Sequence, residues 1–213
     1  MARMFALLCG LLIWMGSENA QTTGSPTDGF TQQTLTDSNI VMQKPYDKNL
    51  SDRYSFVDGV HDMWVYSNDK PHNLTSNTRP RTEIRITGKD YKTGVWQFEG
   101  EGYVPRGTNG VCVMQIHGYL GPATVIMLDA VNGDLKRYHA DVVSPDIFDR
   151  WFHLNVIHDT DQRIATVFVD GEERIAVNVT GGDSYYFKCG VYAQIDASFC
   201  MESRWRNIKL WSK

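Results

Sequence analysis

The stretch Arg81-Thr82-Glu83-Ile84-Arg85 has the alternating pattern of a β-strand with one polar and one apolar face. Side chains along a strand alternate between its two faces, so Arg81, Glu83 and Arg85 are predicted to share one face of a sheet. Thr82 and Ile84 then point toward a core. Three charged groups on one face need solvent, mutual pairing or an anionic ligand, because burying unpaired charge is costly. The stretch therefore predicts either a solvated, self-paired face or an anion-binding one.

Short apolar runs bounded by turn residues continue this pattern along the chain. Asn132-Gly133 and Asp170-Gly171 are signals for two-residue hairpins, and one helical turn is expected over residues 144–148. No segment of helical length shows a convincing 3.6-residue period. The predicted strands lie within residues 39–43, 54–56, 63–66, 81–86, 95–100, 111–117, 124–128, 151–157, 164–169, 174–179, 185–194 and 201–210. This succession predicts an all-β sandwich or barrel.

Composition narrows the class of protein further. The 213 residues fit one all-β domain, predicted to span residues 30–213, and a hydrophobic content of 42% is enough for a core. The net charge is −4 with both signs spread along the chain. Because no basic stripe is present, the sequence argues against a nucleic-acid-binding protein. A monomer is expected.

The N-terminus has the features of an export signal. Arg3 supplies a positive charge, and the apolar run from Phe5 to Met15 is too short to span a bilayer. Residues 1–20 are therefore predicted to be a signal peptide cleaved after Ala20, and residues 21–29 a flexible lead-in. No later segment is long and apolar enough for a membrane span. The expected location is the secretory pathway, with the cell wall, another extracellular site or the vacuole as the destination.

Three sequence patterns of the N-glycosylation type agree with export. They are centred on Asn49, Asn73 and Asn178, each followed two residues later by Ser or Thr. These asparagines are predicted to be glycosylation sites.

The cysteines leave two alternatives open. Once the signal peptide is removed, Cys112, Cys189 and Cys200 remain, which is an odd number. One disulfide with a free thiol and three buried thiols are both compatible with this count. No pair has the spacing of metal ligands, so no metal site is predicted.

Two further strands have one polar and one apolar face. In residues 111–117, Gln115 and His117 share a face, while Cys112, Met114 and Ile116 are assigned to the opposite, core-facing side. In residues 186–194 the polar face is predicted to contain Tyr186, Lys188, Gly190, Tyr192 and Gln194. The opposite face contains Phe187, Cys189, Val191 and Ala193.

Periodicity alone does not show that these three strands are neighbours. If they are, one sheet face holds two arginines, a glutamate, a glutamine, a histidine, a lysine and two tyrosines. The remaining histidines have no comparable set of polar residues with them, and they are interpreted as structural or surface residues. They are His61, His72, His139, His153 and His158.

The three strands resemble, in order and spacing, the signature strands of the alginate-lyase-type polysaccharide lyases. The matching segments are residues 81–85, 115–117 and 186–194. Over residues 43–209 the chain also resembles plant citrate-binding proteins of the same superfamily, through segments 43–47, 53–56, 69–72 and 201–205. The resemblance implies a jelly-roll β-sandwich of two antiparallel sheets, with a concave polar cleft for an acidic polysaccharide.

The resemblance also implies β-elimination without a metal or organic cofactor. Arg81 and Gln115 match residues that neutralise a uronate carboxylate, which stabilises the charge that develops when the C5 proton leaves. His117 matches the residue that assists neutralisation or acts as the base. Tyr192 matches the tyrosine that protonates the glycosidic oxygen.

The other polar residues are assigned to substrate binding. Arg85 and Lys188 are predicted to contact neighbouring carboxylates, Gln194 to bind hydroxyls, and Glu83 to orient the arginines. Three functions remain open: a secreted lyase acting on a polyuronate such as glucuronan or alginate, a non-catalytic protein that binds citrate or an acidic glycan, and a structural or stress-related wall protein.

Overall fold

The computed structural model describes residues 24–119 and 123–213. This part of the chain is almost entirely β-structure, with two short 3₁₀ turns at Asp37–Asn39 and Leu50–Asp52. The strands are β1 (Thr31–Gln33), β2 (Ile40–Gln43), β3 (Tyr54–Val57), β4 (Val60–Tyr66), β5 (Arg81–Ile86), β6 (Val95–Tyr103), β7 (Val111–Tyr119), β8 (Thr124–Val131), β9 (Asp134–Arg137), β10 (Asp141–Ser144), β11 (Trp151–Asp159), β12 (Ile164–Val169), β13 (Glu172–Asn178), β14 (Ser184–Ala193) and β15 (Cys200–Ser212).

These strands form two antiparallel sheets that stack as a jelly-roll sandwich. One sheet has seven strands in the order β10-β9-β8-β7-β14-β5-β2. The other has the order β13-β12-β11-β6-β15-β4-β3, with β1 added on β15. The prediction of an all-β sandwich is confirmed. The predicted signal peptide lies outside the described residues, so the division of the chain at residues 20 and 29 stays a prediction.

One hydrophobic core fills the space between the sheets. The seven-stranded sheet contributes Ile84 and Phe187, and the eight-stranded sheet contributes Phe98, Phe152 and Trp205. Such large apolar side chains supply most of the favourable free energy of folding when they leave water. Trp205 meets Phe98 edge to face, with 5.6 Å between ring centroids.

The turns explain how the sequence sets the sheet register. Asn132 and Gly133 have φ angles of +54° and +92°, and Asp170 and Gly171 have +55° and +82°. Positive φ at both central residues defines the tight hairpin that Asn-Gly and Asp-Gly favour, so both predicted hairpins are confirmed. The helical turn predicted for residues 144–148 is wrong. Pro145 disfavours a helical conformation at the residue before it, and Ser144 instead ends β10.

The predicted faces of β5 and β14 are confirmed. Thr82 and Ile84 are buried, and Ile84 belongs to the core cluster. The core-facing side of β14 consists of Phe187, Cys189, Val191 and Ala193, as the alternation predicted.

The prediction that Cys112 faces the core is wrong. Val111 and Val113 belong to the core cluster, as do Met114 and Ile116, but Cys112 does not. The pairing of β7 with β8 shifts register between Cys112 and Met114. A β-bulge at this point inserts one residue into the alternation, so Cys112 lies on the same face as Gln115. A strict period of two cannot reveal such an insertion.

The thiols differ from both alternatives that the sequence left open. Cys112, Cys189 and Cys200 are all free; Cys112 and Cys189 are buried, and Cys200 is exposed. The three predicted glycosylation sites, Asn49, Asn73 and Asn178, are all exposed. Among the described residues, no helix is long and apolar enough to cross a membrane.

Candidate functional site

The three strands predicted to carry polar residues are adjacent in the seven-stranded sheet. β14 lies between β7 and β5, with Lys188 opposite both Gln115 and Arg85. Tyr192 lies opposite Arg81. We call their shared outward surface the polar face and define it by Arg81, Glu83, Arg85, Gln115, His117, Tyr186, Lys188 and Tyr192. The sequence predicted these residues but could not show that their strands are neighbours.

Glu83 is the central hydrogen-bond acceptor of the polar face. Its side chain is fully buried and accepts hydrogen bonds from three directions. Gln115 Nε2 donates to Oε1 at 2.6 Å, while Arg81 Nη1 at 3.2 Å and Lys188 Nζ at 2.5 Å both donate to Oε2. Burial raises the pKa of Glu83, but the charges of Lys188 and Arg81 outweigh that effect and hold this pKa below its usual value. Glu83 therefore orients Arg81 as predicted, and also Gln115 and Lys188.

Lys188 lies beneath the surface of the polar face. Its side chain is 1% exposed and its ammonium group is paired with Glu83. Burial lowers its pKa, against the opposing effect of Glu83. The structure thus places Lys188 where it supports the site, whereas the sequence assigned it to contact with a neighbouring carboxylate of the ligand.

Arg81 stacks on Tyr192. The guanidinium carbon lies 3.6 Å from the centroid of the Tyr192 ring, within the range of a cation–π contact. Nη1 donates to Glu83, and Nη2 donates to Thr78 Oγ1 at 3.1 Å. Arg81 Nε is buried and has no partner among the described residues. The Nε–H group is therefore among the donors of Arg81 that have no acceptor in the described part of the chain.

His117, Tyr186 and Arg85 form a second stack beside this cluster. The His117 and Tyr186 rings are 4.9 Å apart and nearly parallel, and the Arg85 guanidinium lies 4.1 Å from the Tyr186 centroid. Arg85 also pairs with Asp90 at 2.7 Å. Burial, together with the positive charges of Lys188, Arg81 and Arg85, lowers the pKa of His117 to about 4. The imidazole is therefore neutral at neutral pH.

Gln194 lies just past the end of β14. Its Nε2 donates to the Tyr192 carbonyl at 3.2 Å, and its own carbonyl accepts a hydrogen bond from Arg79 at 2.9 Å. Gln194 thus lies at one end of the polar face, where the hydrogen bond from Arg79 anchors the loop of residues 67–80.

The loop of residues 67–80 brings to the site a histidine that the sequence analysis left aside. Burial lowers the pKa of His72, and the charges of Arg81 and Lys188 lower it further, while Glu83 opposes them. The same three charges act on His117. His72 therefore lies within electrostatic reach of the polar face, and its interpretation as a structural or surface residue stays a prediction. A loop has no periodicity from which to predict this, although His72 ends the segment Asp69-Lys70-Pro71-His72 noted above.

The outward face continues across β7 onto β8. Tyr192 is paired with Cys112, and Cys112 with Asp129. Asp129 is 1% exposed; Oδ2 accepts a hydrogen bond from the His139 backbone at 3.2 Å, and Oδ1 has no partner among the described residues. Burial raises the pKa of Asp129 to about 7. In the sequence, the only signal of Asp129 is an acid within an apolar run.

This arrangement suits the binding of a carboxylate. Arg81 and Lys188 carry two positive charges, and Glu83 neutralises one of them. A net positive charge, the neutral imidazole of His117 and the Tyr192 phenol thus lie on one face of three adjacent strands. Across the two described ranges, no group of three or more His, Cys, Asp and Glu residues could hold a metal ion.

The chain belongs to the alginate lyase family, whose model matches residues 35–212. The citrate-binding protein of Hevea brasiliensis is 52% identical over 208 residues, which cover 97% of this chain and 87% of that protein. The match to the family confirms the resemblance drawn from the three strands.

Solved alginate lyase structures share the fold. The alginate lyase AlgAT5 of polysaccharide lyase family 7 superposes with a TM-score of 0.62 at 17% identity, covering 90% of this chain and all of that one. A substrate complex of the family 7 alginate lyase A1-II′ gives a TM-score of 0.64 at 15% identity, covering 81% and 91% of the two chains. The lyase from Corynebacterium sp. gives 0.61 at 15%, covering 78% and 83%. At these identities the likeness shows the jelly-roll fold.

Proposed function

We propose that this protein is a secreted lyase that cleaves an acidic polysaccharide, such as glucuronan or alginate, by β-elimination. The observation that carries the proposal is the assembly of Arg81, Gln115, His117 and Tyr192 on one face of three adjacent strands. These residues combine positive charge, an amide donor, a neutral imidazole and a phenol. Neutralisation of the carboxylate, removal of the C5 proton and protonation of the leaving oxygen are the steps of β-elimination that such groups can perform.

The reaction begins with neutralisation of the uronate carboxylate. Arg81 and Gln115 are held by Glu83 and supply charge and hydrogen-bond donors to that carboxylate. This stabilises the enolate-like charge that develops as the C5 proton leaves. Preorganised donors are effective because they need no reorientation during the reaction.

Proton transfer falls to His117 and Tyr192. The neutral imidazole of His117, or Tyr192 in its ionised form, takes the C5 proton. The electron pair of the C5–H bond forms the C4–C5 double bond, and the bond from C4 to the glycosidic oxygen breaks. Tyr192 donates a proton to the departing oxygen. An anionic ligand beside His117 offsets the positive charges that depress its pKa, which makes the imidazole a better base in the complex.

A second function is supported by the relative named as a citrate-binding protein. The net positive charge of the Arg81–Glu83–Lys188 cluster suits a tricarboxylate as well as a uronate. His117 favours the lyase over this alternative, because a neutral imidazole adds no charge to an anion site but can accept a proton.

A panel of polyuronates tests the two functions. Glucuronan, alginate and pectate are incubated with the protein, and the ultraviolet absorbance of the new C4–C5 double bond is followed. Tyr192→Phe is expected to reduce turnover by on the order of 10²-fold or more while substrate still binds, since the lost hydroxyl acts mainly in the transition state. Tyr103→Phe, on β6 of the opposite sheet, is the matched control. No absorbance change with any polyuronate, together with heat of binding for citrate in calorimetry, would replace the lyase with the binding protein.

A further inference from the structure

The loop of residues 67–80 is fixed against both sheets. Near its start, Arg53 pairs with Asp69 at 2.6 Å, and the Pro71 carbonyl accepts a hydrogen bond from the Tyr46 backbone at 3.0 Å. Near its end, Thr78 Oγ1 accepts a hydrogen bond from Arg81, and Arg79 donates to the Gln194 carbonyl. Tied at both ends, the loop holds His72 in place beside the polar face.

The hydrogen bonds of Asn73 determine which nitrogen of His72 carries the proton. Asn73 Oδ1 accepts hydrogen bonds from the Thr75 backbone and from Thr75 Oγ1, both at 3.0 Å. The amide oxygen is thus fixed, and its Nδ2 lies 3.0 Å from His72 Nε2. An amide nitrogen can only donate, so His72 Nε2 accepts and the proton of the neutral imidazole is on Nδ1.

His72 Nδ1 is then a buried donor without an acceptor among the described residues. A buried donor that is left unsatisfied costs free energy, and most such groups in folded proteins find a partner. Besides burial, the charges of Arg81, Lys188 and Glu83 on the polar face act on the pKa of this imidazole. An oxygen of an anionic ligand on the polar face would satisfy the donor.

We propose that His72 binds the ligand of the polar face by donating a hydrogen bond from Nδ1 to a carboxylate oxygen. The inference rests on the proposed function in that it requires a carboxylate-rich ligand, and it holds for a polyuronate and for citrate alike. His72 is on this basis a second imidazole of the site, with the role of binding, whereas His117 takes part in proton transfer.

Two substitutions of His72 separate a binding role from the alternatives. His72→Ala removes the donor and is expected to weaken binding of citrate or of uronate oligomers by about 10- to 150-fold, as for the loss of one hydrogen bond to a charged group. His72→Asn keeps an N–H donor near the Nδ1 position and is expected to restore much of that affinity. Calorimetry measures both affinities directly. His153→Ala, on the opposite sheet, is the control and leaves affinity unchanged.

Kinetics and folding distinguish the roles further. For a binding residue, His72→Ala raises KM and leaves kcat within a few-fold of wild type. A fall in kcat of about 10²-fold that Asn does not rescue would make His72 an acid or base and overturn the inference. Unchanged affinity in a variant of lowered melting temperature would show a merely structural role.

One measurement needs no ligand. Nitrogen-15 NMR of the imidazoles of the wild-type protein reports which ring nitrogen is protonated, and a proton on His72 Nδ1 is expected. A proton on Nε2 would contradict the inference even if the protein proves to be an active lyase. Conversely, citrate binding that depends on His72 without turnover of any polyuronate would remove the lyase and retain the inference.

Discussion

Lys188 Nζ lies 2.5 Å from Glu83 Oε2, and the two side chains are essentially closed to solvent. A buried ion pair is stable only when its remaining hydrogen-bonding capacity is satisfied, and Gln115 and Arg81 complete the set around Glu83. The pair therefore fixes the position of both groups that are proposed to neutralise the ligand carboxylate. The Lys188–Glu83 pair thus accounts both for the burial of these groups and for the charge of the site.

Glu83→Gln is expected to destabilise the fold by about 3–5 kcal/mol, because it leaves the Lys188 ammonium buried without a counter-charge. Denaturation in urea measures the change in the free energy of unfolding. The double substitution Glu83→Gln with Lys188→Met removes both charges and should recover most of the loss. A cost below about 1 kcal/mol for the single substitution would show that the pair is not closed to water as the structure has it.

Gly190→Ala is expected to cost several kcal/mol of stability. Gly190 lies opposite Glu83 with a φ of +142°, and a Cβ there would approach the Thr82 carbonyl oxygen to 2.5 Å and Glu83 Cα to 2.7 Å. Both contacts are with backbone of the adjacent strand, which cannot move without shifting the polar face. The melting temperature measures the effect.

Gly171→Ala provides the matched control for the change at Gly190. Gly171 also has a positive φ, +82°, but nothing lies within 4 Å of the position of its Cβ. Only the conformational strain of about 1 kcal/mol is expected there. Equal losses at the two positions would show that strain, and not the close approach of β5, makes glycine necessary at Gly190.

The fold and most of the polar face were predictable because strand alternation and turn residues act locally. Arg81, Glu83, Gln115 and Tyr192 each follow the period of two of their own strand, and the hairpin glycines set the register. Whether two strands are neighbours depends on the core that they share, which the alternation of a single strand does not encode.

Three placements could not be predicted for separate physical reasons. Cys112 reached the polar face through a β-bulge, which breaks the alternation without a sequence signal of its own. Lys188 is buried through its ion pair with Glu83. The pattern of its own strand does not show that pairing. His72 is positioned by contacts at the two ends of its loop. The partners in these contacts, Arg53 and Gln194, are distant from His72 in the sequence.

Cys200 is expected to be the reactive thiol among the three described cysteines. Cys200 is exposed, and its pKa is raised by partial burial and by Glu202, but burial raises the pKa of the Cys112 and Cys189 thiols well above the usual value, which disfavours the reactive thiolate more strongly there. Alkylation of the native protein followed by peptide mass analysis should find Cys200 modified first. Cys112 and Cys189 should react only after denaturation. Early labelling of Cys112 would show that the polar face opens toward Asp129.

Asp129 predicts how stability changes with pH. Its pKa is raised by burial from the usual value of 3.8 to about 7, so between these values the folded protein holds a proton that the unfolded chain has lost. The contribution of the neutral carboxyl group favours folding at low pH and disappears as the pH rises toward 7. Above that pH the folded protein bears the cost of a buried charge.

Asp129→Asn keeps the shape of the side chain without the charge. The stability of this variant relative to wild type is expected to increase from pH 4 to pH 7 and to stay constant above, reaching about 2–4 kcal/mol. The lowered pKa values of His117 and His158 act in the opposite direction over part of this range, but they are common to both proteins and cancel in the difference. Denaturation in urea at several pH values gives the difference, and Asp58→Asn at an exposed turn controls for the exchange of carboxylate for amide. A difference that does not vary with pH would show that Asp129 is already ionised under the polar face at low pH, with a partner close to its free oxygen.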